Sequence, residues 1–249
     1  ASLFSRHYAM RQIFFAVPYV CPREPKPIAD LIREHGTLRD VAAGEILKRG
    51  GEANRLFLLE DGLCGYFVAG ETTGHPTIMS LLLPGTTMCD MTSSVGRRCN
   101  VETRAIQASK VWTTAPDFFD KHVFTNPELA HLKYQHAVGK QETTIEGMIA
   151  NFTLPPEQRV KILIKAVLLH DRTEFGSGWL RIPYTLSAEV IGQTVNLTRQ
   201  TVAQVIGEWR HQGLARRMGR HLEVLPALFF DIYDWLDHRD GCMPDWRLG

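Results

Sequence analysis

The 249 residues predict an α+β chain: a domain of short strands, a sandwich or a roll, then one long helix, then a winged helix-turn-helix. Three observations carry this. Between residues 36 and 114, short β-like runs are divided by glycine and turn residues at roughly ten-residue spacing. From Asn126 to Phe152, apolar residues keep approximately helical spacing. Between Ile182 and Val224, two short amphipathic stretches and two strand-like runs follow one another without a linker.

Residues 1 to 35 read as mixed and partly helical, punctuated by Pro18, Pro22, Pro25 and Pro27. The strand-like runs are 38–41, 43–47, 55–59, 64–69, 77–83, 101–106 and 110–114, with turn signals at Asp61-Gly62, Gly70 and Pro84-Gly85. The long stretch opens at Asn126, a capping residue, with Pro127 in the first turn, and stops at Pro155-Pro156. Its periodic residues are Leu129, Leu132, His136, Ile145, Met148, Ile149 and Phe152. A helix of about 26 residues is roughly 40 Å long, more than a compact sandwich needs, so it is read as a dimerisation helix. Packing along its own sandwich is the alternative. Residues 156–169 then repeat an amphipathic pattern through Val160, Leu163, Ile164, Val167 and Leu168.

In the helix-turn-helix, Leu186, Val190 and Ile191 form one apolar stripe behind Ser187, and Val202, Val205, Ile206 and Trp209 form a second at i, i+3, i+4, i+7. Asn196 suits the left-handed residue of the tight turn between them, and Thr198 supplies the oxygen that caps the second helix. The face opposite its seam is Arg199, Gln200, Ala203 and Gln204. Arginine donates twice to guanine and glutamine pairs with adenine in the major groove, so this face is equipped to read DNA. Beyond Gly213, two strand-like runs flank a basic turn, and the arginines of that wing suit phosphate. An unspecialised helical pair with solvated Arg and Gln is the bland alternative, but it leaves the wing without a role.

Composition narrows the function classes. Net charge is only +1, which excludes a wholly basic nucleic-acid coat, but residues 155–225 carry ten Arg and Lys against six Asp and Glu. The positive excess coincides with the helix-turn-helix. Cys21, Cys64, Cys89, Cys99 and Cys242 are scattered without a CxxC pair, so reduced thiols in a cytoplasmic protein are expected rather than zinc, a disulfide framework or a cysteine-ligated cluster. The apolar run at 13–17 breaks at Pro18 with no cleavage site, so no signal peptide is expected, and no run reaches membrane-spanning length. No Gly-rich phosphate loop, nucleophile elbow or HExxH occurs, so the chain is not read as an enzyme and no catalytic or metal residue is assigned.

The order of parts resembles the cyclic-AMP receptor protein and FNR (Crp-Fnr) family of transcription regulators, from about residue 36 to 224. Gly44-Glu45-Ile46-Leu47, Gly51-Glu52 and the run from Leu56 to Gly62 look like the family's roll signature, and Leu83-Pro84-Gly85 resembles its glycine turn. The run Ile191-Gly192-Gln193-Thr194-Val195-Asn196-Leu197-Thr198-Arg199-Gln200-Thr201-Val202 is similar to its helix-turn-helix and is the most specific match. The resemblance implies a β-roll (double-stranded β-helix, cupin-like jelly roll) for effector sensing at 1–125, a dimerisation helix at 126–154 and a winged DNA-binding domain at 155–225. It further implies a homodimer on a palindromic double-stranded operator, with RNA polymerase as a partner and no membrane association. Its DNA-binding residues become Ser187, Thr198, Arg199, Gln200, Thr201, Gln204, Arg216, Arg217, Arg220 and His221. Residues 226–249 add a predicted amphipathic helix, with Leu228, Phe229, Ile232, Trp235 and Leu236 opposite Asp231, Asp234 and Asp237.

Departures from the family pattern bear on the effector. Where cyclic-AMP binders carry Gly-Glu-Leu and then Arg-Ser, this chain aligns Cys89-Asp90-Met91 and Cys99-Asn100, with Arg97 and Arg98 adjacent. Loss of a charged partner costs a bound phosphate about 1.5–3 kcal/mol, so cyclic AMP is not the expected ligand. The expected pocket, between roll and long helix, involves Met88, Asp90, Cys99, Asn100, Lys140 and Thr144 around an unidentified small-molecule effector. Lys140 is read either as a partner for an acidic or phenolic ligand or as a solvated helix lysine. His75, His131 and His136 leave a haem sensor as an alternative, and the cysteines leave a redox sensor. A rival reading is a cyclic-nucleotide-type sensor or scaffold module whose terminal domain binds protein; it leaves Arg199, Gln200 and the basic wing unexplained.

Overall fold

The structure, a computed structural model, describes residues 16–52, 55–68, 76–90, 101–230 and 232. After an extended segment comes helix α1 (Lys26–His35), opened by Pro27 within its first turn. Eight strands follow: β1 (Thr37–Val41), β2 (Ile46–Lys48), β3 (Leu56–Asp61), β4 (Cys64–Val68), β5 (Thr77–Leu82), β6 (Thr87–Met88), β7 (Val101–Ala105) and β8 (Ser109–Thr114). They form two antiparallel four-stranded sheets, ordered β1-β8-β3-β6 and β2-β7-β4-β5. Val41, Leu47, Phe57, Leu59, Cys64, Leu82, Ala105 and Val111 fill the space between them. The predicted runs become these strands; β6 was not among them because two residues show no alternation.

Helix α2 (Phe118–His122) packs with α1 over the outer side of Leu56 and Leu58. Helix α3 (Pro127–Thr153) begins where expected, with the Asn126 side chain accepting from the amides of Glu128 and Leu129. Its predicted stripe is divided between two sides of the helix. The side facing the roll buries Lys133, His136, Lys140, Thr143, Glu146 and Ala150, while Met148 and Phe152 face outward and Ile145, partly exposed, lies at the edge between the two sides. His136 thus belongs to the roll side, and only the second half of the predicted stripe is outward.

Pro155-Pro156 ends α3 and opens α4 (Pro156–His170), which is almost wholly buried from Val160 to Leu168. The helix-turn-helix unit adds β9 (Leu180–Arg181), α5 (Ala188–Val195), α6 (Arg199–His211), β10 (Ala215–Met218) and β11 (His221–Val224), the three strands ordered β10-β11-β9. A short 3-10 turn (Pro226–Phe229) closes the described chain, with Leu228, Phe229 and Ile232 buried against α4 and its neighbours. Trp235 and Leu236 of the expected C-terminal helix lie outside the described residues, as does the apolar run at 13–17 up to Phe15. One apolar core runs without interruption from Phe67, Ile78 and Leu81 of the roll to Ile191, Val195, Val202 and Trp209 of the helix-turn-helix. No helix among the described residues is long and apolar enough to cross a membrane.

Candidate nucleic-acid interface and effector cavity

The helix-turn-helix is fixed by local chemistry. Ser187 caps α5 by accepting from the Val190 amide at 3.1 Å, and Thr198 caps α6 by accepting from the Thr201 amide at 3.0 Å. Asn196 takes the left-handed conformation between them, with φ 53° and ψ 54°. Gly192 is required by proximity: a Cβ there would lie 2.5 Å from the Leu197 carbonyl oxygen. Trp209 is fully buried, and its indole N–H donates to Glu157 at 3.1 Å, tying α6 to α4.

That packing leaves Thr198, Arg199, Gln200, Ala203 and Gln204 outside the core along one side of α6. Thr201 is half-buried, and its hydroxyl lies 2.8 Å from that of Thr198. In the wing, Gly219 makes the β10–β11 turn with φ 61°, and Arg217 and Arg220 are exposed. Arg216, also exposed, has partners within the wing. Its Nε donates to Glu223 at 2.8 Å and its guanidinium covers the Trp179 ring at 4.2 Å, so it braces the wing. His221 lies with Nδ1 3.2 Å from the Ile182 carbonyl oxygen and Nε2 3.4 Å from Arg220 Nε.

Between the roll and α3 lies an open cavity of about 380 Å³ lined by Cys21, Tyr66, Met79, Cys89, Val101, Thr103, Lys140, Gln141, Thr144 and Ile145. Of the expected pocket residues, Lys140 and Thr144 stand on its wall. Met88 does not: it is fully buried in the core between the sheets. Cys99 and Asn100 lie outside the described residues. The Tyr66 hydroxyl accepts from the Cys89 amide at 3.1 Å, and Cys89 holds a left-handed backbone with φ 64°.

Asp90 is drawn away from the cavity into a buried ion network that the sequence reading missed. Asp90 Oδ1 accepts from Lys140 and Oδ2 from Lys133, each at 2.7 Å, and Lys133 also donates to both oxygens of Glu24 at 2.8 and 2.7 Å. Lys140 is only 1% exposed and donates as well to the Thr87 carbonyl and hydroxyl, so its three protons are used. It is neither a solvated lysine nor an open ligand partner. Burial raises the Asp90 carboxyl, but Lys133 and Lys140 outweigh it and hold the group well below the usual carboxylate range. Burial lowers Lys133 and is likewise outweighed, by Asp90 and Glu24. Glu24, Asp90 and His136 approach one another as metal ligands would, yet the Lys133 ammonium already occupies the cation position among them.

His136 is fully buried, with Nε2 3.3 Å from the Pro22 carbonyl oxygen and Nδ1 3.4 Å from Lys133, and burial lowers its pKa to about 4. With both nitrogens engaged it does not fit a haem ligand; His131 is exposed, and His75 lies outside the described residues. Burial pushes the Cys21 thiol up to about 11 and the Cys64 thiol up to about 12, the reverse of a reactive sensor thiolate. Spacing on the long helix offered one signal for the network: Lys133, His136, Lys140 and Thr143 alternate by three and four, the step of a buried face.

Residues 163–226 match the Crp-like helix-turn-helix domain. Among solved structures, FixK2 from Bradyrhizobium japonicum aligns with TM-score 0.66 and 18% identity over 76% of this chain and 92% of that chain. A CooA mutant from Carboxydothermus hydrogenoformans aligns with TM-score 0.61 and 17% identity over 80% and 87%. A CRP-family transcriptional regulator from Thermus thermophilus aligns with TM-score 0.61 and 18% identity over 77% and 94%. At these identities the likeness is one of fold. No curated protein matches the chain in sequence.

Proposed function

We propose, on the premise that this chain belongs to the Crp-Fnr family through its helix-turn-helix domain and its fold, that it is an effector-responsive, homodimeric transcription regulator. The observation that carries this is the polar side of α6, where Arg199, Gln200 and Gln204 project from a helix whose other side is locked into the core. In this reading Arg199, Gln200 and Gln204 contact base edges, the capping hydroxyls of Ser187 and Thr198 and the hydroxyl of Thr201 flank them, and Arg216, Arg217, Arg220 and His221 meet the backbone. Residues 1–125 sense, 126–154 dimerise, and 155–225 bind a palindromic operator, with RNA polymerase as protein partner and the cytoplasm as location. Two recognition helices enter successive major grooves when they stand about 34 Å apart.

The partner subunit is proposed to cover Ile145, Met148 and Phe152, the last 82% exposed, because a helix that turns its polar side inward leaves this stripe in water. Met148→Asp with Phe152→Asp is expected to convert dimer to monomer by light scattering, shifting the dissociation constant about tenfold or more. A dimer of unchanged affinity would rule out this face.

The cavity suits an uncharged, largely apolar effector. Lys140 is the only cation among its described lining residues, and its donors are spent on Asp90 and Thr87. The Tyr66 hydroxyl, which accepts from Cys89, turns its own proton to whatever acceptor the effector offers. A volume near 380 Å³ lies at the small end of ligand pockets.

Selection of bound sequences from a random DNA pool at fixed salt tests the reading, with a two-fold symmetric consensus expected. The consensus then serves as probe for an effector screen weighted to neutral compounds, with cyclic AMP as the inactive control. Arg199→Ala is expected to cost roughly 1–3 kcal/mol and relax preference at one base pair, while Arg220→Ala weakens all sequences alike and flattens the salt slope. Equal losses on operator and random DNA for Arg199→Ala would remove that residue from base reading.

A further inference from the structure

The short segment from Tyr19 to Glu24 touches every working part of the molecule. Tyr19 donates its hydroxyl proton to Asn151 on α3 at 2.9 Å, and its carbonyl accepts from Leu81 on β5 at 2.7 Å. The Cys21 amide donates to the Leu81 carbonyl at 3.0 Å, while the Cys21 side chain lines the cavity. The Pro22 carbonyl lies 3.3 Å from His136, the Glu24 amide donates to Gly85 at 2.8 Å, and the Glu24 carboxylate joins the ion network. Backbone and carboxylate are therefore anchored on β5, on the turn at Gly85 and on α3.

Two side chains of this segment point to its function. Cys21 faces the cavity; Arg23, two residues on, reaches the DNA-binding unit. Arg23 Nε and Nη2 donate to the His170 carbonyl at 3.1 and 3.0 Å. His170 is the last residue of α4, inside the region that matches the helix-turn-helix domain. Carbonyls at a helix C-terminus lack intrahelical partners and carry the negative end of the helix dipole, so a cation there satisfies both. The same junction is secured by Thr86, whose hydroxyl lies 3.4 Å from His170 Nε2, and by Gln107, which donates to the Thr185 carbonyl at 2.8 Å just before α5. Behind these polar contacts, Ile191 and Val195 of α5 share an apolar core with Ile78 and Leu81 of β5.

We propose that Arg23 is a positioning residue, and that its clamp on the His170 carbonyl reports the state of the cavity, sensed at Cys21, to the DNA-binding unit. A body that fills the cavity presses on Cys21. Val20, Cys21 and Glu24 are held by Leu81, Thr86, Gly85 and Lys133 and the Pro22 carbonyl by His136, so the displacement is passed along the segment to Arg23, whose side chain reaches His170. The clamp then holds α4 and α5 against the roll differently in the filled and empty states, and the pose of α6 follows. This rests on the reading of the cavity as an effector site and of α6 as a DNA reader.

The test is a cycle on the full-length dimer, with Cys21→Phe as a built-in filler of the cavity and Arg23→Ala as the cut. Affinity for the selected operator is measured at fixed salt, and hydrogen exchange is followed at the amides of α5. Cys21→Phe is expected to change operator affinity by about fivefold or more in the wild-type background and by less than about twofold with Arg23→Ala. A purely structural arginine would leave the two effects equal, and equality overturns the proposal, as does a Cys21→Phe variant indistinguishable from wild type. Should Cys21→Phe fail to fold, Met79→Trp fills the cavity from β5 and is read by the same criteria. Should no DNA sequence be selected, the DNA reading falls, and the clamp is judged by exchange alone. Filling must then alter α5 exchange with Arg23 and leave it unaltered without.

Discussion

Asp90→Asn is expected to destabilise the protein by about 3–5 kcal/mol, as for any buried ion pair that loses one partner. Asp90 is fully buried and receives Lys140 on one oxygen and Lys133 on the other. The network holds two lysines against two carboxylates, with His136 neutral, so it is balanced as it stands. Neutralising Asp90 leaves an excess ammonium in the interior. Lys133 retains Glu24, whereas Lys140 keeps only the two oxygens of Thr87. For a chain of this size, with melting shifts of about 2–4 °C per kcal/mol, the midpoint should fall roughly 10 °C. Adding Lys140→Met removes the stranded charge and should recover much of the loss, since replacing a whole buried pair by apolar groups is often neutral. Denaturant melts of the two variants and wild type check this; Asp90→Asn within about 1 kcal/mol of wild type would show the network to be dispensable.

The same network marks where sequence reading stops. The helix-turn-helix was legible because its determinants are local: the seam Val202, Val205, Ile206 and Trp209 sets the face of α6, and Asn196 and Thr198 set the turn before it. The strands were legible for the same reason, each bounded by its own glycine or turn. Helix α3 was legible in extent but not in facing. The apolar stripe suggests a dimerisation helix, but hydrophobic periodicity does not show that its other side is buried against the roll with Lys133 and Lys140 on it, because those lysines are matched by Glu24 and Asp90 from far away in sequence. No local pattern reveals that Lys133 lies beside a carboxylate 109 residues earlier. Met88 and Asp90 were placed on the cavity by alignment with the family's effector segment, but the left-handed backbone of Cys89 turns the chain there. Of the three, Cys89 alone faces the cavity, while Met88 enters the core and Asp90 meets the lysines. Arg23, which no motif singles out, is defined only by the fold that brings the end of α4 to it.

Acid should loosen the protein well before its carboxylates protonate. Burial lowers His136 from 6.5 to about 4 and His170 from 6.5 to about 3. At His136, Glu24 and Asp90 oppose the effect of burial while Lys133 and Lys140 reinforce it, and burial prevails; at His170, Arg23 and Arg172 both reinforce it. Both groups have folded values below their unfolded ones, so as pH drops below 6.5 the unfolded chain takes up protons that the folded chain refuses. Stability therefore falls from about pH 6.5 downward. At pH 5, about 1.5 units below the unfolded value and still above both folded values, each histidine costs roughly 2 kcal/mol relative to a fully neutral state, for a combined loss near ~4 kcal/mol. Glu24 and Asp90 act in the same direction, but at lower pH. Their folded values are depressed, so their contribution is lost only as pH approaches and passes below the ordinary carboxylate range. Between about pH 7 and pH 5 the histidines thus dominate the slope. Denaturant melts across that range should show it, and His136→Gln and His170→Gln should each remove about half. Because His170 sits at the junction clamped by Arg23, His170→Gln should also remove the acid-induced rise in hydrogen exchange at α5, which His136→Gln should leave in place. A slope unchanged in both variants would assign the acid sensitivity to other groups.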